Sequence, residues 1–222
     1  MSKYFYIICG ILVFSAMSIG IYIISDNYAS QMERTLVKEA ELRDLEGKSW
    51  QIEQLNEKLG IVYFGYTSCP DICPTALNNL AIALAGMGEE SKNFQPIFVS
   101  VDPDRDTPAV IGEYLAHFDK KILGLTGTEA QLKSFSWTFG ATYSLRKSEA
   151  NENDYVVDHT ANLFLVTSEG RFFTLPIKDN PDDLRKNLIR AKKQILKQNV
   201  ATPLKLSSFT YTKTLVQIRP YV

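Results

Sequence analysis

The sequence predicts an α/β domain, a mixed central sheet flanked by helices, preceded by one N-terminal transmembrane helix. Three observations carry this. Tyr4 to Ile24 is an uncharged, mostly apolar stretch of 21 residues, and a helix needs about 20 to cross the hydrocarbon core of a bilayer. The apolar runs Ile61–Tyr66 and Pro96–Val101 flank a helical pattern from about Thr75 to Gly86, a strand–helix–strand unit whose strands should lie parallel with a right-handed crossover. Runs 162–167 and 171–175 flank the Glu169-Gly170 turn and read as an antiparallel pair. Parallel and antiparallel pairs together make the sheet mixed.

With 222 residues, 45% of them hydrophobic, and a formal charge of −1, the chain suits one ordinary globular domain plus appendages. Basic residues are scattered, except for Arg185 to Lys193 on an expected helix, which reads as a solvated face. Nothing marks the chain for nucleic acid.

Lys3 and the terminal amine precede the apolar stretch, Asp26 follows it, and no basic residue appears until Arg34. That bias favours the N-terminus inside and the bulk outside. Ala16 and Ser18 would suit a signal-peptide cleavage site, but the apolar run continues six residues past Ser18, longer than a signal requires, so an uncleaved anchor is expected. The expected organisation is an anchor at 1–25, a tether at 26–39, the folded domain at 40–198 and a C-terminal extension at 199–222. The absence of an Arg-rich presequence favours a bacterial inner membrane, with the domain in the periplasm, over a mitochondrial inner membrane.

Along the chain, Ser25–Glu39 reads as a tether or membrane-proximal helix. Glu41–Ile52 alternates about Glu46-Gly47, a hairpin signature. Further helices are expected at Pro108–Phe118 and Glu129–Phe139, then a polar loop at Lys147–Asp154. Asn180-Pro181-Asp182-Asp183 opens the last helix with a capping Asn, Pro at the first helical position and two first-turn acids. Phe209 to Ile218 alternates in a way that permits a strand of unassigned role.

Between the strand at 61–66 and the following helix stands Cys69-Pro70-Asp71-Ile72-Cys73-Pro74. Cys9 lies in the apolar stretch, which leaves one pair. As a structural staple this pair would close only a few residues and constrain little. Two chemistries remain open, exchange with a disulfide and binding of a soft metal. Each cysteine precedes a proline, and the residue before proline is biased toward extended geometry. Cys73 is therefore expected at the N-cap, with Pro74 as the first helical residue, where the helix dipole favours thiolate. Cys69, one turn earlier, is within disulfide reach if the Cα separation is about 4.4 to 6.8 Å.

His159 is one of two histidines and sits in Asp158-His159-Thr160, at the expected entry to the strand Leu163–Val166. A lone histidine is more often structural than a ligand. His117, late in an expected surface helix, keeps that reading. Asp158 either orients His159 through a hydrogen bond or caps backbone and faces solvent. Asp102, Arg105 and Asp106 read as a structural ion pair and turn cap, with Thr107 or Asp106 capping the next helix, and not as metal ligands.

Three segments together, Tyr63-Phe-Gly-Tyr-Thr-Ser-Cys69-Pro-Asp-Ile-Cys73-Pro, Ser100-Val-Asp102-Pro-Asp-Arg105-Asp106-Thr107-Pro108 and Val157-Asp158-His159-Thr160, resemble the Sco/SenC family of membrane-anchored copper proteins. The resemblance runs from about Ala40 to Leu196. It implies a thioredoxin-like fold and copper held by Cys69, Cys73 and His159. It also implies a role in assembling the binuclear copper centre of cytochrome c oxidase, by delivering copper, reducing that site's cysteines, or both. The implied partners are the copper-site subunit, an upstream copper donor and a thioredoxin-like reductase.

The chemistry of the residues agrees. Thiolates suit Cu(I), and imidazole also serves Cu(II). Three protein ligands leave zinc one short of its usual set. Oxidation to the disulfide removes both thiolates and expels the metal, so loading and redox state are linked. The alternative is a membrane-anchored thiol-disulfide oxidoreductase without obligatory copper, although such enzymes typically carry Cys-x-x-Cys, one residue shorter. A peroxiredoxin pattern would need Pro at 62 and Thr or Ser at 66, where this chain has Val62 and Tyr66. A non-catalytic interaction module would tolerate serine at both cysteines.

Overall fold

The computed structural model describes residues 2–147, 155–159 and 162–197, with the backbone alone for some of them, among these 145–147, 155, 156, 158 and 159. Helix α1 (Ser2–Glu39) is continuous, so the expected tether is its extension. Its segment Ile7–Ser25 is long and apolar enough to cross a membrane, and none of it is buried within the protein. Side chains such as Phe14, 75% exposed, find no cover in the domain.

Strands β1 (Leu42–Asp44) and β2 (Ser49–Trp50) form the expected hairpin, turned by Gly47 at φ +80°, a left-handed conformation natural to glycine. A 3-10 turn at Ile52–Leu55 drives those two side chains into the core. Strand β3 (Leu59–Gly65) is buried at every residue, as an unbroken apolar run demands. Helix α2 (Ile72–Ala85) leads through a 3-10 turn (Gly88–Asn93) to β4 (Phe94–Ser100), parallel to β3.

Helix α3 (Pro108–Leu115) is capped by Thr107, whose hydroxyl accepts the Val110 N–H. It ends earlier than expected, which leaves His117 exposed beyond it, its ring Nδ1 3.3 Å from the Tyr114 carbonyl. Strand β5 (Leu123–Thr126) pairs parallel with β4 and antiparallel with β1. Helix α4 (Glu129–Thr138) opens with a Thr128/Gln131 capping box.

Strands β6 (Tyr143–Lys147) and β7 (Tyr155–His159) form a two-stranded antiparallel sheet of their own. The polar loop expected at Lys147–Asp154 is thus partly strand, its residues 148–154 lying outside the described residues. Strands β8 (Asn162–Val166) and β9 (Phe172–Pro176) are the expected antiparallel pair, and α5 (Pro181–Lys197) starts at its predicted proline. The Phe209–Ile218 strand pattern lies outside the described residues.

The main sheet runs β2-β1-β5-β4-β3-β8-β9. Because successive strand residues face opposite sides, β3 feeds two cores. Phe64 joins Phe135 of α4, Phe139 just after it and Phe164 of β8, with ring centroids 5.7 to 5.9 Å away. Tyr63 and Gly65 face the other way, toward Phe98, α2 and α3. Helix α5 covers α2 on that side, where buried Asn79 donates to the carbonyls of Lys178 and Asp179. The fold is therefore the expected mixed sheet between helices, and it puts the end of an interior strand under the dithiol.

Candidate metal and redox site at the end of strand β3

Strand β3 stops at Gly65 because the chain must turn away there. A Cβ on Gly65 would meet Cys73 Sγ and Phe98 Cε2 at 2.9 Å each and Tyr63 Cε1 at 3.2 Å. Only glycine lets the buried sulfur approach the strand so closely. Residues Tyr66–Asp71 then carry the chain up to α2.

The expected N-cap assignment is corrected here. Asp71 is the N-cap and Cys73 the second residue of α2, with Pro74 third. Proline loses nothing at that position, since first-turn amides have no intrahelical acceptor. The pre-proline bias against helical geometry at Cys73 is overcome by burial, for this side chain is 0% exposed.

Cys69 is half-buried, and the two cysteines are in the dithiol form. The Cys73 N–H donates to Cys69 Sγ at 3.5 Å, and the Cys69 N–H donates to the Tyr66 carbonyl at 3.3 Å. One first-turn amide of α2, that of Cys73, thus faces the Cys69 sulfur. For Cys73 the expected thiolate preference is reversed. Burial pushes its thiol up to about 12, outweighing the neighbouring Tyr63 hydroxyl and Tyr66 backbone, which favour the thiolate. Desolvation outweighs the dipole when the sulfur is wholly enclosed.

Three tyrosines face the pair. Burial, then Cys73, holds the Tyr63 and Tyr114 phenols above their ordinary value. Tyr66 is also raised, by burial and then Cys69, while a hydrogen bond to the Val157 backbone works the other way. Tyr66 therefore joins the dithiol turn to strand β7.

The Asp102–Thr107 segment packs against the same turn. Arg105 Nε pairs with buried Asp102, as expected, and its guanidinium lies 5.7 Å from the centre of the Tyr66 ring. Thr107, not Asp106, caps α3. Asp106, 1% exposed, instead accepts from Thr67 N–H (2.9 Å), Thr67 Oγ1 (2.6 Å) and Ser100 Oγ (2.6 Å). The sequence carried no signal for a contact between residues so far apart.

His159 is the last residue of β7, opposite Tyr143 of β6, rather than in a strand-entry loop. Val157, two residues earlier, is buried and holds Tyr66, so the backbone runs this strand beside the dithiol turn. The side chains of His159 and Asp158 lie outside the described residues. Among the described residues no group of three or more His, Cys, Asp or Glu side chains gathers as a metal site. A cavity of about 720 Å³ lies elsewhere, lined by Gln54, Lys58, Lys92 and Asn93, with no thiol or imidazole.

The SCO1/SenC family model matches residues 29–195. The SCO2-like protein of Rickettsia felis is 37% identical over 132 residues, which cover 60% of this chain and 64% of that relative. Against mitochondrial SCO2 of Saccharomyces cerevisiae the match spans 44% of the relative. Among solved structures, Bradyrhizobium japonicum ScoI with copper bound is 35% identical with a TM-score of 0.61, over 68% of this chain and 96% of that one. Yeast Sco1 with copper bound is 32% identical with a TM-score of 0.65, over 73% and 92%. The matched segment takes in the whole thioredoxin-like domain, with the dithiol turn and the Val157–His159 strand end inside it, and the chain belongs to the SCO1/SenC family.

Proposed function

We propose that this chain is a membrane-anchored copper chaperone for the binuclear copper site of cytochrome c oxidase. Cys69, Cys73 and His159 hold the copper in this reading. The observation that carries it is the dithiol pair at the end of an interior strand, tied through Tyr66 to the strand that ends at His159. Two soft sulfurs fit Cu(I), and an imidazole added to them extends the set to Cu(II). The copper-bound state of the B. japonicum and yeast relatives supports the same cargo.

In this reading the reduced pair either takes up copper or gives two electrons and two protons to a partner's disulfide, becoming a disulfide itself. A thioredoxin-like reductase then restores the dithiol, and an upstream donor reloads it. The anchor places the domain in the periplasm beside the oxidase subunit that receives the metal, an orientation a topology reporter fused after Lys197 would check.

The test is anaerobic titration of the reduced protein with Cu(I) and with Cu(II), with single replacements. Cys69→Ser, Cys73→Ser and His159→Ala should each weaken binding, and His117→Ala should not. Wild-type binding by His159→Ala would overturn the three-ligand set.

A second reading is a thiol-disulfide oxidoreductase that needs no copper. The asymmetry of the pair favours it, since half-buried Cys69 is open to a mixed disulfide while buried Cys73 is placed to resolve it. Turnover of a disulfide substrate by protein that binds no copper would select this reading.

A further inference from the structure

Disulfide formation and metal chelation make the same demand of Cys69 and Cys73: the two sulfurs must stand at a fixed, short separation. Cys73 meets its half of that demand by burial. Its side chain is fully enclosed in the first turn of α2, against Gly65 and Phe98. Cys69 belongs to the turn between β3 and α2, and what holds that turn decides where its sulfur lies.

The hold comes from Asp106. Its Oδ2 accepts from the Thr67 N–H at 2.9 Å and from Ser100 Oγ at 2.6 Å, and its Oδ1 accepts from Thr67 Oγ1 at 2.6 Å. A carboxylate that is 1% exposed is costly unless such donors satisfy it. Two of the three come from one residue, two positions before Cys69. Asp106 is itself fixed, because its N–H donates to the Asp102 carbonyl at 2.9 Å and Ser100 ends β4. Gly65 is held to the same segment through Val101 N–H at 2.9 Å, and the Arg105 guanidinium lies against Tyr66. The turn is therefore registered on the end of the neighbouring strand just before it reaches the sulfur.

We propose that Asp106 is the positioning residue of the dithiol: through Thr67 it sets where the Cys69 sulfur stands relative to Cys73. This rests on the reading of Cys69 and Cys73 as a working pair. The carboxylate touches neither copper nor sulfur, and its effect is on the effective concentration of one sulfur at the other. Loosening it costs the disulfide and the chelate alike, because both require the same approach.

The test uses the full-length protein in detergent and two equilibrium constants. One is for exchange with glutathione disulfide, in which Cys69 and Cys73 each lose a hydrogen, the protein S–S bond forms, the glutathione S–S bond breaks, and two glutathione thiols result. The other is Cu(I) affinity of the reduced protein, by competition with a chelator. Asp106→Asn keeps the shape but turns an N–H group toward donors. It should lower both constants about ten-fold. Thr67→Val deletes only the hydroxyl bond and should lower both about three-fold, which decides the matter if Asp106→Asn does not fold.

Thr107→Ala, which removes the α3 cap, is the control for general destabilisation: it should lower Tm and leave both constants unchanged. Constants within two-fold of wild type in both Asp106→Asn and Thr67→Val overturn the proposal, as does an equal loss in Thr107→Ala. If wild-type protein binds no copper, the copper function falls and the glutathione constant still judges Asp106.

Discussion

The Tyr66 side chain is hydrogen-bonded to the backbone of Val157, which ties the turn bearing the two cysteines to the strand that ends at His159. Val157 is buried, so its amide has no water to fall back on. Tyr66→Phe leaves it without a partner, at a cost of about 1–3 kcal/mol. Amide exchange at Val157 should accelerate about ten-fold or more in the metal-free variant. Unchanged exchange there would show that the tie does not hold the hairpin.

Gly65→Ala should destabilise the domain by about 1–3 kcal/mol, the usual cost of overpacking. The new methyl meets Cys73 Sγ and Phe98 Cε2 at 2.9 Å, and neither side chain has free space to retreat into. Urea unfolding measures the loss. Alkylation of Cys73 under native conditions should speed up, since the sulfur is the atom pushed out of its socket.

The raised Cys73 thiol gives a pH signature. Burial moves it from an ordinary 9.0 to about 12, so between these values the unfolded chain has lost a proton that the folded chain keeps. The stabilisation is complete below pH 9 and is lost as pH rises toward 12. Denaturant midpoints of the reduced protein, followed from pH 8 upward, should fall more steeply for wild type than for Cys73→Ala. Parallel slopes would contradict the assignment. At neutral pH iodoacetamide should label Cys69 well before Cys73, as peptide mass spectrometry would read.

Thr128→Ala removes the side-chain half of the capping box on α4, the hydroxyl that accepts the Gln131 N–H, while the Thr128 N–H keeps its bond to Gln131 Oε1, and should cost about 1 kcal/mol. Helix α4 packs on the face of the sheet away from the dithiol, through Phe135 and Phe139 against Phe64. The glutathione equilibrium of the cysteine pair should therefore not change. A shift in that equilibrium would show coupling between the two cores.

Most of the sheet was legible because its strands announce themselves physically. β3 is an unbroken apolar run, β4 carries the apolar stretch Pro96–Val99, and α5 opens with a full set of start signals. β5 went unread because Leu-Gly-Leu-Thr is four residues long with no alternation, and only its neighbours β4 and β1 make it a strand. β6 and β7 went unread because they flank a polar stretch and pair only with each other.

At the site, the two cysteines and His159 stand out by type and spacing. The place of Cys73 within α2 did not, because a local pre-proline bias yielded to the burial of its own sulfur. The bond from Asp106 to Thr67 lies between segments that only the folded sheet brings together. No local pattern could report it.

The β6–β7 hairpin stands apart from the seven-stranded sheet, while the cysteine pair is mounted on one of that sheet's interior strands. The turn that bears the cysteines and the strand that ends at His159 therefore share no backbone ladder, and their relative placement is set by side-chain contacts such as that of Tyr66, which single substitutions can alter without breaking a sheet hydrogen bond.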